Sequence, residues 1–119
     1  MTLLNNRAHD DRPWGSFDRF TNNEQSTVKI LTIKPSQRLS LQTHAKRSEF
    51  WHILSGAGVV TIDDTEHAAA PGDEFEIPVG ARHRVAAGDA GMQFLEIALG
   101  EFDEADIVRL EDDYGRTAD

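Results

Sequence analysis

Three side chains able to hold a metal fall close together in the segment LSLQTHAKRSEFWHILSG, residues 39–56: Gln42, His44 and Glu49. The pattern around them is that of strands, and side chains alternate faces along a strand. In RLSLQTH, Arg38, Ser40, Gln42 and His44 share one face, while Leu39, Leu41 and Thr43 take the other. In EFWHILS, Glu49, Trp51, Ile53 and Ser55 lie opposite Phe50, His52 and Leu54. A hairpin through AKRS brings Gln42, His44 and Glu49 onto one surface. A further strand, entered through EIPVGARH, can add His83. Two imidazoles, one carboxylate and one amide oxygen make an N/O donor set suited to zinc, manganese or iron. Taken singly, each is more often a surface or hydrogen-bonded strand residue, and periodicity alone does not choose between the two roles. His9, His52 and His67 fall outside the cluster.

The elements that must position these residues are strands. STVKILTIKP alternates apolar and polar residues up to Pro35, and RLSLQTH, EFWHILSG, GVVTID, DEFEIP, HRVAA and MQFLEIALG follow as short runs between turns. IDDTEH reads as a hairpin and APGD as a tight turn. Only the acidic tail, FDEADIVRLEDDYGR, leaves room for a helical turn. Many short strands without helices to cover them imply an antiparallel sandwich or small barrel, closed so as to hide its edges. A chain of 119 residues makes one domain.

Composition removes several function classes. There are no cysteines, hence no disulfide, thiolate site or Cys nucleophile. No apolar run approaches the length of a membrane span. The start, MTLLNNRAHDD, lacks the basic flank and apolar stretch of a signal peptide, so a cytoplasmic location and no membrane partner are expected. A formal net charge of −9 speaks against nucleic acid as a partner. Of only 12 basic residues, Lys34, Arg38, Lys46, Arg47, Arg82 and Arg84 lie near the polar clusters. They are either scattered surface charge or the receptor for an anion.

The two polar segments resemble the paired motifs of the cupin superfamily. The second motif is intact as GDEFEIPVGARH, Gly72 to His83, and the first appears as QTHAKRSEFWHILSG with Gln42 in place of its first histidine. The motif's leading glycine is Ser36 here, and its closing Asn is Ala87. RPWGSF, RLSLQTHAKRSEFWHILSG and DIVRLEDDYGR together are similar to the cupin domain of type II mannose-6-phosphate isomerases, a domain often fused behind a GDP-mannose pyrophosphorylase in bacteria. The likeness runs from about Arg12 to Arg116 and includes none of the nucleotidyltransferase domain, so no pyrophosphorylase activity is expected of these residues.

The resemblance implies an all-β, single-domain cupin (a double-stranded β-helix or jelly-roll barrel) over residues 1–119, with the barrel at about 12–100 and a C-terminal strap at 101–116. It implies one divalent ion per chain on Gln42, His44, Glu49 and His83, zinc first, with manganese, cobalt, nickel or iron as alternatives. The implied activity interconverts mannose 6-phosphate and fructose 6-phosphate through an enediol. That needs a base at the C–H bond and a cation for the phosphate. Glu96, an acid within the apolar strand MQFLEIALG, is the candidate base, with an outward-facing surface residue as the alternative. Arg47 and Lys46 are the catalytic cations, and Arg38, Trp51 and Arg84 the substrate-binding residues. Trp14 could share the sugar pocket or simply pack in the core. EDDYGR is either a structural strap or a means of placing Arg116 near the pocket. The family also implies a homodimer. Departures at Ala45, Lys46 and Phe50, where family members often carry other residues, leave two rivals: a non-catalytic sugar-binding or regulatory cupin, and an isomerase or oxygenase for another substrate.

Overall fold

The computed structural model describes residues 3–117. Nine strands and no helix are present among them: β1 Ala8–Arg12, β2 Gly15–Arg19, β3 Ser26–Ile33, β4 Leu41–Thr43, β5 Arg47–Ile62, β6 Thr65–Ala69, β7 Glu74–Ile77, β8 His83–Gly100 and β9 Val108–Glu111. The expected runs are there, but four of them are fused. EFWHILSG and GVVTID form one strand, β5, and HRVAA and MQFLEIALG form β8.

β5 and β8 pair antiparallel along most of their length, from Arg47↔Gly100 to Ile62↔His83, and form the spine. The first half of β5 lies between β7 and the second half of β8, whose other edge carries β3. The second half of β5 lies between β6 and the first half of β8, which continues to β4 and β9. Each long strand thus serves both walls of a sandwich, the jelly-roll arrangement expected of a cupin.

The bend that permits this sits at Gly56, where the β5–β8 register shifts. Its φ is +76°, and a methyl group there would drive into the carbonyl oxygen of Gly91. Only glycine combines that backbone angle with so close an approach. The glycine that ends the first motif is therefore a structural requirement of the fold.

Alternation along β5 sorts its side chains as expected. Trp51 and Ile53 join Val60, Ile77, Val85 and Phe94 in the core between the walls. Phe50 faces outward and is buried against Leu4 and Ile97, with Phe20 alongside. Each such large apolar side chain contributes about 1.5–3 kcal/mol on burial.

Three features depart from expectation. RPWGSF is not a core element: it spans the turn of the β1–β2 hairpin, and Trp14 is 74% exposed, so it neither packs in the core nor lines a pocket. RLSLQTH is strand only from Leu41, and Arg38 makes an isolated bridge to Ala86. The acidic tail makes a turn at Asp103–Asp106 and then β9, which pairs with β4, in place of a helical turn.

Candidate metal centre and cavity

His44 follows the short strand β4, Glu49 lies near the start of β5, and His83 opens β8. The turn before His83 contains Gly80 at φ +84°, and its amide donates to the His44 carbonyl at 2.9 Å, tying the two motifs together. One ligand atom from each of His44, Glu49 and His83 comes together within 4.8 Å, and all three residues are buried.

The ring nitrogens pointing away from this point fix the imidazoles. His44 Nδ1 lies 2.7 Å from the Asp106 carbonyl oxygen and His83 Nδ1 lies 3.0 Å from that of Ala81. A carbonyl oxygen only accepts, so both Nδ1 atoms carry the proton and both Nε2 atoms present a lone pair to Glu49. The Nε2 atoms stand 3.4 and 3.7 Å from the Glu49 carboxylate oxygens. His83 Nε2 is buried without any hydrogen-bond partner. A buried lone pair with nothing donating to it, beside a second imidazole and a carboxylate, is what a divalent ion satisfies, and the backbone carbonyls behind the rings are the supports such ligands use. The residues present fit a metal. Burial dominates in pushing the His83 imidazole below its ordinary value, which keeps the neutral, ligating form.

Glu49 is held by two further donors. Trp51 Nε1 donates to one carboxylate oxygen at 3.1 Å and Arg47 Nε to the other at 3.0 Å. Arg47 also donates to His44 Nε2 and to the Asp103 carbonyl, each at 3.3 Å, with its guanidinium 4.4 Å from the Phe102 ring centroid. It is thus the cation that ties His44 to Glu49. Asp106 holds the loop between His44 and Arg47 by accepting from the amides of Ala45 and Lys46, both at 2.8 Å.

A cavity of about 160 Å³ opens over His44 and Glu49, lined also by Gln42, Arg47, Glu96, Lys29, Ser40, Arg109 and Arg116. It lies below the roughly 300 Å³ at which drug-sized ligands begin to fit, and so suits a small polar ligand. Gln42 stands directly across from His83 in the β4–β8 pairing. Glu96, opposite Trp51 on β5, faces inward, so the outward-facing alternative does not hold. Burial, then the neighbouring charge of Glu49, pushes its carboxyl up to about 7.

Several expected site residues lie elsewhere. Trp51 is 1% exposed and packs on Phe94 and His83, so it offers no face to a sugar. Arg38 donates to both Asp113 oxygens, at 2.7 and 2.8 Å, on an exposed flank. The parity argument fails for it because residues 34–40 are not continuous strand. Arg84 points away from the cavity and is spent on Glu111 and the Leu39 carbonyl, as regular alternation beside His83 requires. Lys46 is exposed, 3.6 Å from Asp103. Sequence reasoning did not single out Lys29, Ser40, Asp106 or Arg109, and it left Arg116 open. Arg109 and Ile107 alternate with the exposed Val108 and Leu110, a strand signal with its apolar side outward.

Comparison with known proteins agrees with this geometry. The family described as Mannose-6-phosphate isomerase C-terminal matches residues 3–112. The alginate biosynthesis protein AlgA of Pseudomonas aeruginosa is 42% identical over 110 residues, which are 91% of this chain and 23% of that protein. The mannose-1-phosphate guanylyltransferase ManC of Salmonella typhimurium is 36% identical over 107 residues, 88% of this chain and 22% of that one. The chain therefore spans about a quarter of the length of the curated relatives it matches. Among solved structures, oxalate decarboxylase from Bacillus subtilis superposes with a TM-score of 0.67 at 27% identity, covering 73% of this chain and 24% of that one. A cupin-2 domain from Rhodospirillum rubrum superposes at 0.62 and 26% identity, covering 74% and 64%. With its all-β jelly roll and both cupin motifs in place, the chain belongs to the Mannose-6-phosphate isomerase C-terminal family of cupins.

Proposed function

We propose that this domain is a metal-dependent sugar-phosphate isomerase that interconverts mannose 6-phosphate and fructose 6-phosphate through an enediol. The observation that carries the reading is a pairing beside one cavity, which His44, Glu49 and Glu96 line. The buried ligand atoms of His44, Glu49 and His83 converge beside a carboxyl, Glu96, that burial brings to about 7. A divalent ion on those residues, with Gln42 beside them and zinc as first choice, supplies Lewis-acid polarisation of the C1 and C2 oxygens when bound. Glu96 takes the proton from the carbon next to the carbonyl and returns it to its neighbour, which asks for a group that is protonatable near neutral pH. Arg47 and Trp51 hold Glu49 in place, and Arg47 is committed to that task rather than to a phosphate. A cytoplasmic homodimer is part of the same proposal. No helix among the described residues is long and apolar enough to cross a membrane.

The departures that favoured a non-catalytic cupin lie off the cavity. Phe50 faces the opposite side of β5, and Ala45 and Lys46 are exposed. The test is a coupled assay from mannose 6-phosphate to fructose 6-phosphate on chelator-stripped protein, repeated with zinc, manganese, cobalt, nickel or iron restored. Metal-dependent turnover is expected, together with loss of bound metal in His83→Ala. Folded, metal-loaded protein without turnover refutes the isomerase reading and leaves a binding cupin.

A further inference from the structure

Four cationic side chains and three carboxylates line the cavity: Lys29, Arg47, Arg109 and Arg116 against Glu49, Glu96 and Glu104. Three of the cations are engaged. Lys29 Nζ is 3.3 Å from Glu104, Arg47 Nε is 3.0 Å from Glu49, and Arg116 donates to both Asp112 oxygens at 2.8 and 3.0 Å. Arg109 is different. It makes no side-chain hydrogen bond or ion pair to any described residue, and its Nε is buried without a partner. Buried N–H groups are rarely left orphaned, least of all on a guanidinium in a chain of net charge −9 that offers abundant carboxylates.

Two neighbours of Arg109 line the same cavity. It stands directly across from Gln42 in the β4–β9 pairing, so both side chains leave the same face of the sheet. Ser40, two residues before Gln42, is 3% exposed and lines the same wall. Neither the Ser40 hydroxyl nor the Gln42 amide has a hydrogen-bond partner among the described residues. A planar cationic fork and a hydroxyl, both unsatisfied and facing one cavity, match a tetrahedral oxyanion.

We propose that Arg109, seconded by Ser40, is the anion subsite of the cavity and receives the phosphate monoester of the substrate, with Gln42 between it and the metal triad. The assignment rests on the isomerase reading for the identity of the sugar, but not for the anion. It replaces the cations expected from the sequence, since Lys46, Arg38 and Arg47 are tied to Asp103, Asp113 and Glu49.

The test uses calorimetric titration of the whole chain and of Arg109→Gln, Arg109→Lys and Ser40→Ala. Inorganic phosphate and acetate are titrated into metal-free protein, and mannose 6-phosphate and mannose into metal-loaded protein. The native chain binds phosphate in preference to acetate. Arg109→Gln weakens phosphate and mannose 6-phosphate at least tenfold while mannose is unchanged, Ser40→Ala weakens them less, and Arg109→Lys recovers part of the loss. Absent phosphate binding by the native chain, equal binding of acetate, or an equal loss of mannose and mannose 6-phosphate each overturns the subsite. If Arg109→Gln does not fold, the lysine and Ser40 variants carry the same comparison, and unaltered phosphate binding in both overturns it. Turnover separates the two readings. Selective loss of phosphate binding in a chain without isomerase activity keeps the subsite and removes the isomerase. Turnover with an unchanged KM for mannose 6-phosphate in Arg109→Gln does the reverse.

Discussion

Replacing Trp51 by Phe isolates one hydrogen bond of the candidate metal centre from the packing around it. Trp51 and Glu49 are 1% and 2% exposed, and the indole donates to the carboxylate at 3.1 Å. Losing a donor to a buried carboxylate costs about 1.5–3 kcal/mol. The smaller ring leaves a void beside Phe94 and His83 that adds about 1 kcal/mol. Metal-free Trp51→Phe should therefore be about 3 kcal/mol less stable, which for a domain of this size lowers the melting temperature by roughly 10 °C. Packing alone would give a smaller shift and would leave metal binding intact. The hydrogen bond makes a further demand, because Glu49 would then be one donor short when it acts as a ligand. Loss of such supporting partners weakens metal affinity by about 10–100-fold. At saturating zinc the extra stabilisation conferred by the ion should accordingly shrink by about 1.4–2.7 kcal/mol. Thermal melts of both proteins, with and without zinc, read both quantities. A zinc-induced shift as large in Trp51→Phe as in the native chain refutes the argument that this bond organises the ligand, whatever the metal-free melts show.

Other substitutions probe independent parts of the structure. The Glu96 carboxyl is raised from 4.5 to about 7 in the fold. The metal-free fold therefore binds this proton more tightly than the unfolded chain does, and stability falls as pH rises across that window by up to about 3 kcal/mol. Glu96→Gln should flatten this part of the stability–pH curve and abolish turnover while metal content is kept; an unchanged curve or unchanged turnover counts against its burial or its role as base. Gly56→Ala should lower the unfolding free energy in a urea titration by about 2 kcal/mol or more, because the added Cβ, held at φ +76°, meets the Gly91 carbonyl oxygen. A midpoint within error of the native one would show that the bend relaxes freely. Trp14→Ser should change stability by less than about 0.5 kcal/mol in the same titration, since the exposed indole has little packing to lose.

The strands around the site were legible because their inward residues alternate with outward ones in plain view, as along β5 from Glu49 to Leu54. Gln42, His44, Glu49 and His83 stood out as polar residues within that alternation. The β1–β2 hairpin left no such trace, because its strands bury almost nothing and are joined by backbone pairing between charged residues. Two of the expected cations lie off the cavity for a related reason. Proximity in sequence drew attention to Lys46 and strand parity to Arg38, but each sits next to a carboxylate supplied by the tail, at Asp103 and Asp113. Arg109 escaped notice because β9 presents its apolar residues, Val108 and Leu110, to the outside. Pairings between residues more than fifty positions apart decide which cation is spent and which is left over, and local pattern carries no record of them.

The contact between His44 and the Asp106 carbonyl spans 62 positions along the chain. Nascent chains emerge from the ribosome in order, and nearby contacts close before distant ones. A chain synthesised only as far as β8 already carries Gln42, His44, Glu49 and His83, yet lacks the carbonyl that sets the His44 proton and the carboxylate that shapes its loop. The orientation of His44 and the shape of its loop therefore depend on a segment that follows β8 in the chain.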